Sequence, residues 1–182
     1  MRDLTNEDID PNFAEKVYTQ TYEKKTVIEG VQVIQLKNMV GEDGDFSEMM
    51  RFTHGELDAI PGFKIAQINR TRLYSQSIKA WHMHYKQDEI WFISPKYHLI
   101  VGLWDTRKDS PTCGIRYKFG IGSGNSNLIY IPRGVAHGSA NASGTDVEMF
   151  YFVNRQFDIN DPDERRIPWD TLGADFWNPE RD

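Results

Sequence analysis

The chain has 182 residues, 39% hydrophobic and 13% aromatic, enough to bury the core of one domain and too apolar for a disordered chain. Twenty-seven acidic against 21 basic residues leave a net charge of -6 with no basic run, which argues against a nucleic-acid surface and requires any anionic ligand to meet a locally built site. The single cysteine, Cys113, excludes an internal disulfide framework, and with no apolar h-region after Met1 and no apolar stretch near the roughly 18 residues of a membrane span, a soluble cytoplasmic protein is expected.

Residues 1–25 carry Asp, Glu, Lys and Thr with Phe13, Val17 and Tyr22 at loose helical spacing, and predict a short amphipathic helix appended to a domain over residues 26–182. From Thr26 the period changes. Short β-rich runs follow at residues 27–28, 31–34, 64–68, 90–93, 97–104, 128–131 and 147–153. Gly, Asp, Asn, Ser and Pro punctuate them, as in residues 41–45 and 122–127, so the runs are joined by turns rather than crossover helices. Many short strands with turn signals predict a sandwich or barrel. The tail, residues 158–182, is rich in Pro, Asp, Arg and Trp and is expected to wrap the barrel without a helix of any length.

Two stretches carry chemistry. In Trp81-His82-Met83-His84-Tyr85-Lys86-Gln87-Asp88-Glu89 the two histidines are two apart in a β-like run, so both side chains leave one face of a strand. In Pro132-Arg133-Gly134-Val135-Ala136-His137-Gly138-Ser139-Ala140-Asn141 a third imidazole stands behind a Pro-x-Gly turn. A divalent metal wants three or four N/O ligands converging from rigid elements, and His82, His84, Glu89 and His137 are the candidate set. The spacings match the cores of the two cupin motifs, His-x-His-x4-Glu and Pro-x-Gly-x2-His-x3-Asn, at every core position, with Gln76, Lys96 and Ser126 where the longer motifs place Gly. The chain thus resembles the cupins, which implies an all-β double-stranded β-helix, a jelly-roll barrel. Barrels of this kind without metal use the same histidines as bases or core residues, so both uses stay open.

Further blocks narrow the resemblance. Asp105-Thr106-Arg107, Ser110-Pro111-Thr112-Cys113-Gly114 and Pro132-Arg133-Gly134-Val135-Ala136-His137-Gly138, preceded by Gly44-Asp45-Phe46-Ser47-Glu48 and Gln67-Ile68-Asn69, are similar to blocks of the dTDP-4-dehydrorhamnose 3,5-epimerase family in the same order. The resemblance spans residues 31–177. It implies a homodimer acting without a cofactor on a nucleotide-linked 4-keto-6-deoxyhexose, in deoxysugar, lipopolysaccharide or O-antigen assembly. In that family a histidine takes the proton beside the ketone and a tyrosine returns one from the other face. The matching positions are His84 and Tyr151. Removing a proton beside a carbonyl needs a base near neutral pKa and a weaker acid across the ring, as imidazole and phenol provide. Substrate contacts are implied for Phe46, Glu48, Gln67, Asn69, Arg72 and His137.

This chain also departs from the family. The Arg-Gly before the base is Trp81-His82, the Lys after that strand is Asp88 or Glu89, and a nucleotide-contacting Arg is Asp43, which leaves dTDP, CDP and GDP open. The Asp that orients the base is expected to be missing, with the family's C-terminal extension. Enolate stabilisation then falls either to Asn69, Arg70 or Arg72, or to a metal on His82, His84, Glu89 and His137 as in a metal-dependent isomerase or oxygenase. His84 is base or ligand, not both. Tyr151 as a core residue with a satisfied hydroxyl, and the whole chain as a non-catalytic sugar-binding cupin, complete the readings.

Overall fold

A computed structural model describes residues 2–19 and 28–180; Tyr22, Val27 and the boundary expected after residue 25 lie outside the described residues. The first strands are short: β1 Gln32–Gln35, β2 Asn38–Val40, β3 Asp45–Ser47, β4 Phe52–Thr53 and β5 Glu56–Leu57. The barrel strands follow: β6 Gln67–Leu73, β7 Ile78–Met83, β8 Glu89–Ile93, β9 His98–Asp105, β10 Arg116–Gly122 and β11 Asn127–Ile131. Then come β12 Val135–Ala140, β13 Val147–Val153 and β14 Arg165–Arg166. Two five-stranded sheets, β1-β11-β8-β13-β6 and β10-β9-β12-β7-β14, form the jelly roll that the sequence implied. β10 and β12 join the expected set; their Gly, Ser, Lys and Arg residues hide the apolar alternation, and pairing on both flanks of β12 supplies what propensity lacks.

Pleating sorts the side chains. Leu99, Val101 and Leu103 of β9 point into the barrel with Ile93, Ile129, Ile131 and Val147, while Ile100 and Trp104 point outward. Each outer face is then covered by chain outside the two five-stranded sheets. Leu57, Ile60 and Phe63 lie over Ile90, Phe92, Leu128 and Phe152 of the first sheet. The C-terminal tail, with one helical turn among its described residues at Ala174–Trp177, covers the second sheet as expected.

Two glycines decide how the tail docks. Gly102 and Gly138 face each other across β9 and β12, and a Cβ on either would stand 2.7 and 2.9 Å from Cη2 of Trp177. Their missing side chains make the groove in which the Trp177 ring lies, 4.7 Å from the Trp81 ring, with its indole N–H donating to the Trp169 carbonyl. Among the described residues the expected N-terminal helix is reduced to a 3-10 turn at Asn6–Asp8 and α1 Pro11–Ala14, capped by Asp10, and neither buries a residue. Gln76 meets the backbone demand for which the longer motif has Gly, at φ 58. Asp105 binds Arg107, Ser110 and Thr112, so the Asp-x-Arg and Ser-Pro-Thr blocks form a structural knot.

Gly138→Ala puts a methyl 2.4 Å from Cβ of Ala80 and should cost about 1–3 kcal/mol in denaturant titration, against less than about 0.5 kcal/mol for Gly144→Ala, where the added Cβ meets nothing. Equal losses would show that Trp177 does not depend on the two glycines.

Candidate active site

A cavity of about 440 Å³ opens between the sheets. Its first wall follows from one register. Val153, Tyr151 and Met149 of β13 stand opposite Gln67, Asn69 and Thr71 of β6, and Glu89 and Trp91 of β8 lie beside Val153 and Tyr151. The second wall carries Lys79 and His82 of β7, His84 just beyond it, and His137 and Ser139 of β12. Gly134, at φ 78 in the Pro-x-Gly turn, donates its N–H to the His84 carbonyl at 2.8 Å, so the second motif holds the histidine of the first.

At the floor lies Glu89, 4% exposed, and a buried carboxylate must be compensated. Four side chains converge on it. Its Oε1 is 2.9 Å from Gln87 Nε2 and 3.0 Å from His84 Nε2; its Oε2 accepts from the Trp91 indole at 2.7 Å and faces His137 Nε2 at 3.5 Å. His137 is fully packed, and its Nδ1 donates to the Val135 carbonyl at 3.0 Å, which places its proton there. Burial pushes the His137 pKa down, against the attraction of Glu89. For His84, burial opposes the charged form, but the hydrogen bond and attraction from Glu89, with the Asp163 carbonyl, outweigh it and raise its pKa. For Glu89 burial likewise works against the charged form, and the His137, His84 and Trp91 contacts hold its pKa low despite it.

The C-terminal segment completes the site, contrary to the expected loss of the group that orients the base. β14 pairs with the open edge of β7, Arg165 opposite Met83 and Arg166 opposite His82. Just before it, the Asp163 carbonyl accepts from His84 Nδ1, while the Asp163 carboxylate takes the backbone N–H groups of Tyr85, Lys86 and Gln87 at 2.9, 2.7 and 3.0 Å. His84 is thereby fixed with Nδ1 as donor and Nε2 toward Glu89 and the cavity. No local signal marks Asp163; it reaches His84 only through strand pairing.

The candidate residues separate. His84, Tyr151, Gln67, Asn69 and His137 all line the cavity. The Tyr151 hydroxyl has no hydrogen-bond partner among the described residues, so it is not a satisfied core tyrosine; burial first, then Glu89 and Glu164, push its pKa up. Asn69 accepts from Gln67 Nε2 through Oδ1, which leaves its Nδ2 available as a donor. Arg72 lies elsewhere: alternation along β6 puts it on the outer face, paired with Asp146, as Arg70 is with Glu148. Phe46, 62% exposed on the β2-β3 hairpin, and Glu48, paired with Arg51, do not line the cavity of this chain. Asp88 is held by Arg133 and Asn154, so of the two acids the inner one is Glu89.

For a metal, His84, Glu89 and His137 bring three ligand atoms within 4.8 Å of one another. His82 does not join them. Its Nε2 accepts from Arg166 at 2.8 Å and its Nδ1 faces Glu164 at 3.3 Å, while burial first, then His137 and Arg166, lower its pKa to about 4. The expected four-ligand set is therefore a set of three. Among the described residues no helix is long and apolar enough to cross a membrane.

The sequence model of the dTDP-4-dehydrorhamnose 3,5-epimerase family matches residues 25–180. The spore coat polysaccharide biosynthesis protein SpsL of Bacillus subtilis strain 168 is 37% identical over 156 residues, 85% of this chain and 99% of that protein. The probable low-salt glycan biosynthesis epimerase Agl13 of Haloferax volcanii is 30% identical over 154 residues, 84% of this chain and 96% of that protein. The structure of a dTDP-6-deoxy-D-glucose-3,5-epimerase from Legionella pneumophila, in complex with dTDP-4-keto-L-rhamnose, superposes with a TM-score of 0.66 at 21% identity over 78% of this chain and 74% of that one. With its jelly roll and with the family model covering all but its ends, the chain belongs to the dTDP-4-dehydrorhamnose 3,5-epimerase family and is a sugar epimerase, an isomerase-class enzyme.

Proposed function

We propose that the cavity inverts the carbon beside the ketone of a dTDP-linked 4-keto-6-deoxyhexose, with His84 as base and Tyr151 as acid. One observation carries this reading: the imidazole and the free phenol enter the same cavity from opposite sheets, so a sugar ring between them is reached on both faces. Asp163 keeps the proton on Nδ1, and Nε2 takes the substrate proton. The imidazolium that forms lies 3.0 Å from Glu89, which stabilises it. Asn69 Nδ2 is the donor for the enolate oxygen, and the phenol of Tyr151, kept neutral, delivers a proton to the other face. The nucleotide follows the ligand of the Legionella enzyme; CDP- and GDP-sugars are the alternatives. We assign residues 26–182 to the catalytic domain, 1–25 to an appendage, and the enzyme to a cytoplasmic homodimer in surface polysaccharide or O-antigen assembly.

A divalent ion on His84, Glu89 and His137 would supply Lewis-acid polarisation of the ketone. It would also occupy the Nε2 lone pair that the base needs. The proposed reaction therefore runs without a metal: chelation leaves the rate unchanged and added Zn²⁺ slows it. Loss of activity on chelation, restored by the metal, would instead make His84 a ligand.

Solvent exchange tests the assignments. With dTDP-, CDP- and GDP-4-keto-6-deoxyglucose in D₂O, His84→Asn should lower deuterium incorporation beside the ketone by about a hundredfold or more. Tyr151→Phe should still exchange that hydrogen while failing to invert the carbon. Wild-type exchange rates in His84→Asn would sink the proposal.

The pH profile reads Glu89. The base must be unprotonated, and its pKa is raised above 6.5, so kcat/KM should fall as pH drops through a value above 6.5. Glu89→Gln removes the attraction that favours the imidazolium, so this acid limb should move to lower pH. A limb that stays in place would assign the titration to another group.

A further inference from the structure

The cavity is electrostatically lopsided. Its His84 end carries five carboxylates, those of Glu89, Asp158, Asp161, Asp163 and Glu164. Three cationic side chains line it, and two are neutralised there: Arg155 pairs with Asp161 at 3.0 Å and Arg166 with Glu164. The third, Lys79, has no carboxylate partner among the described residues. Its ammonium donates to Thr71 Oγ1 at 2.7 Å, across the gap between the edge of one sheet and β7 of the other.

Lys79 lines the cavity because β7 is bulged. His82 stands opposite His137 and Lys79 opposite Ser139, so a step of three residues on β7 matches a step of two on β12. A regular strand would turn Lys79 away from the face that carries His82. Ser139 is 2% exposed, lines the cavity, and its hydroxyl makes no hydrogen bond to another described residue. A free cation and a free buried hydroxyl thus share one end of the cavity.

We infer that Lys79, Thr71 and Ser139 form the subsite that holds the diphosphate of the nucleotide-linked sugar. The inference rests on the epimerase reading above. Asp161 and Glu164 are offset by Arg155 and Arg166, but Glu89, Asp158 and Asp163 have no Lys or Arg partner among the described residues and disfavour a diphosphate at the other end, so the anion lies at Lys79 and the sugar extends inward. Thr71 is two residues from Asn69, a step of about 7 Å along β6, comparable with the span from the reacting carbons of a hexose across the ring to its first phosphate. The reacting carbons then fall at the rung formed by Asn69 and Tyr151, and the nucleoside extends out of the mouth.

Calorimetry on the full-length protein with dTDP, thymidine and inorganic pyrophosphate tests the subsite. Lys79→Met should weaken dTDP by about tenfold to a hundredfold, leave thymidine unchanged and flatten the salt dependence of dTDP binding. With the nucleotide sugar, KM should rise by a similar factor while kcat stays within about threefold, and Lys79→Arg should restore most of the affinity. An unaltered thermal midpoint checks that the variant is folded. Undiminished dTDP affinity in Lys79→Met, or a wild-type protein that binds neither dTDP nor pyrophosphate, overturns the subsite. If pyrophosphate binds through Lys79 while no nucleotide sugar exchanges deuterium, the epimerase reading fails and the anion site stands.

Discussion

A single buried carboxylate organises this molecule. Glu89 begins β8 at the floor of the barrel, and its charge stays there only because two imidazoles, an indole and an amide are brought to it. An uncompensated carboxylate at that depth would cost several kcal/mol, so the positions of His84, His137, Trp91 and Gln87 are not independent choices. They come from three parts of the barrel, β8 with the loop before it, the end of β7, and β12. The register of those strands therefore determines the electrostatics of the site. This same group raises the affinity of His84 for a proton, which links the structural constraint to the chemistry.

The C-terminal segment is the second half of that arrangement. It adds β14 to β7, caps the 85–87 turn with the Asp163 carboxylate and gives His84 Nδ1 its acceptor. Beyond β14 the chain anchors by laying Trp177 on the paired glycines Gly102 and Gly138. Glycine in an Ala-His-Gly motif reads as a backbone requirement. Here it makes room for a ring from the tail that positions His84, and so connects packing on the outer face with the cavity inside.

The departures from the family are substitutions in charge rather than in shape. Where the resemblance implies a lysine the inner residue is Glu89, and where it implies Arg-Gly the chain has Trp81 in the outer core and His82 bridged to Glu164 and Arg166. The cavity keeps an imidazole, a phenol and the family's barrel while its cations are rearranged. Arg155 and Arg166 are tied to carboxylates of the C-terminal segment, and Lys79 is left at the opposite end.

Much was legible in the residues alone. The turn-punctuated β runs imply a sandwich or barrel, the resemblance to the cupins narrows it to a jelly roll, and the two motifs together bring His84, Glu89 and His137 to one place, because their spacings are set by strand pleating and a tight turn. Neither Asp163 nor Lys79 could be found that way. Asp163 acts through a main-chain carbonyl and through strand pairing with residues about 80 positions earlier, for which side-chain identity carries no signal. Lys79 is turned inward by a bulge whose register exists only when β7 lies against β12. Arg72 failed for the complementary reason: the resemblance placed it at the substrate, but regular alternation on β6 turns it outward. The sequence by itself determined the all-β class and, through its motifs, the residues that meet in the cavity, since strand period and turn spacing are local. Only the tertiary structure decided which charges face the cavity, because that depends on pairing between distant strands.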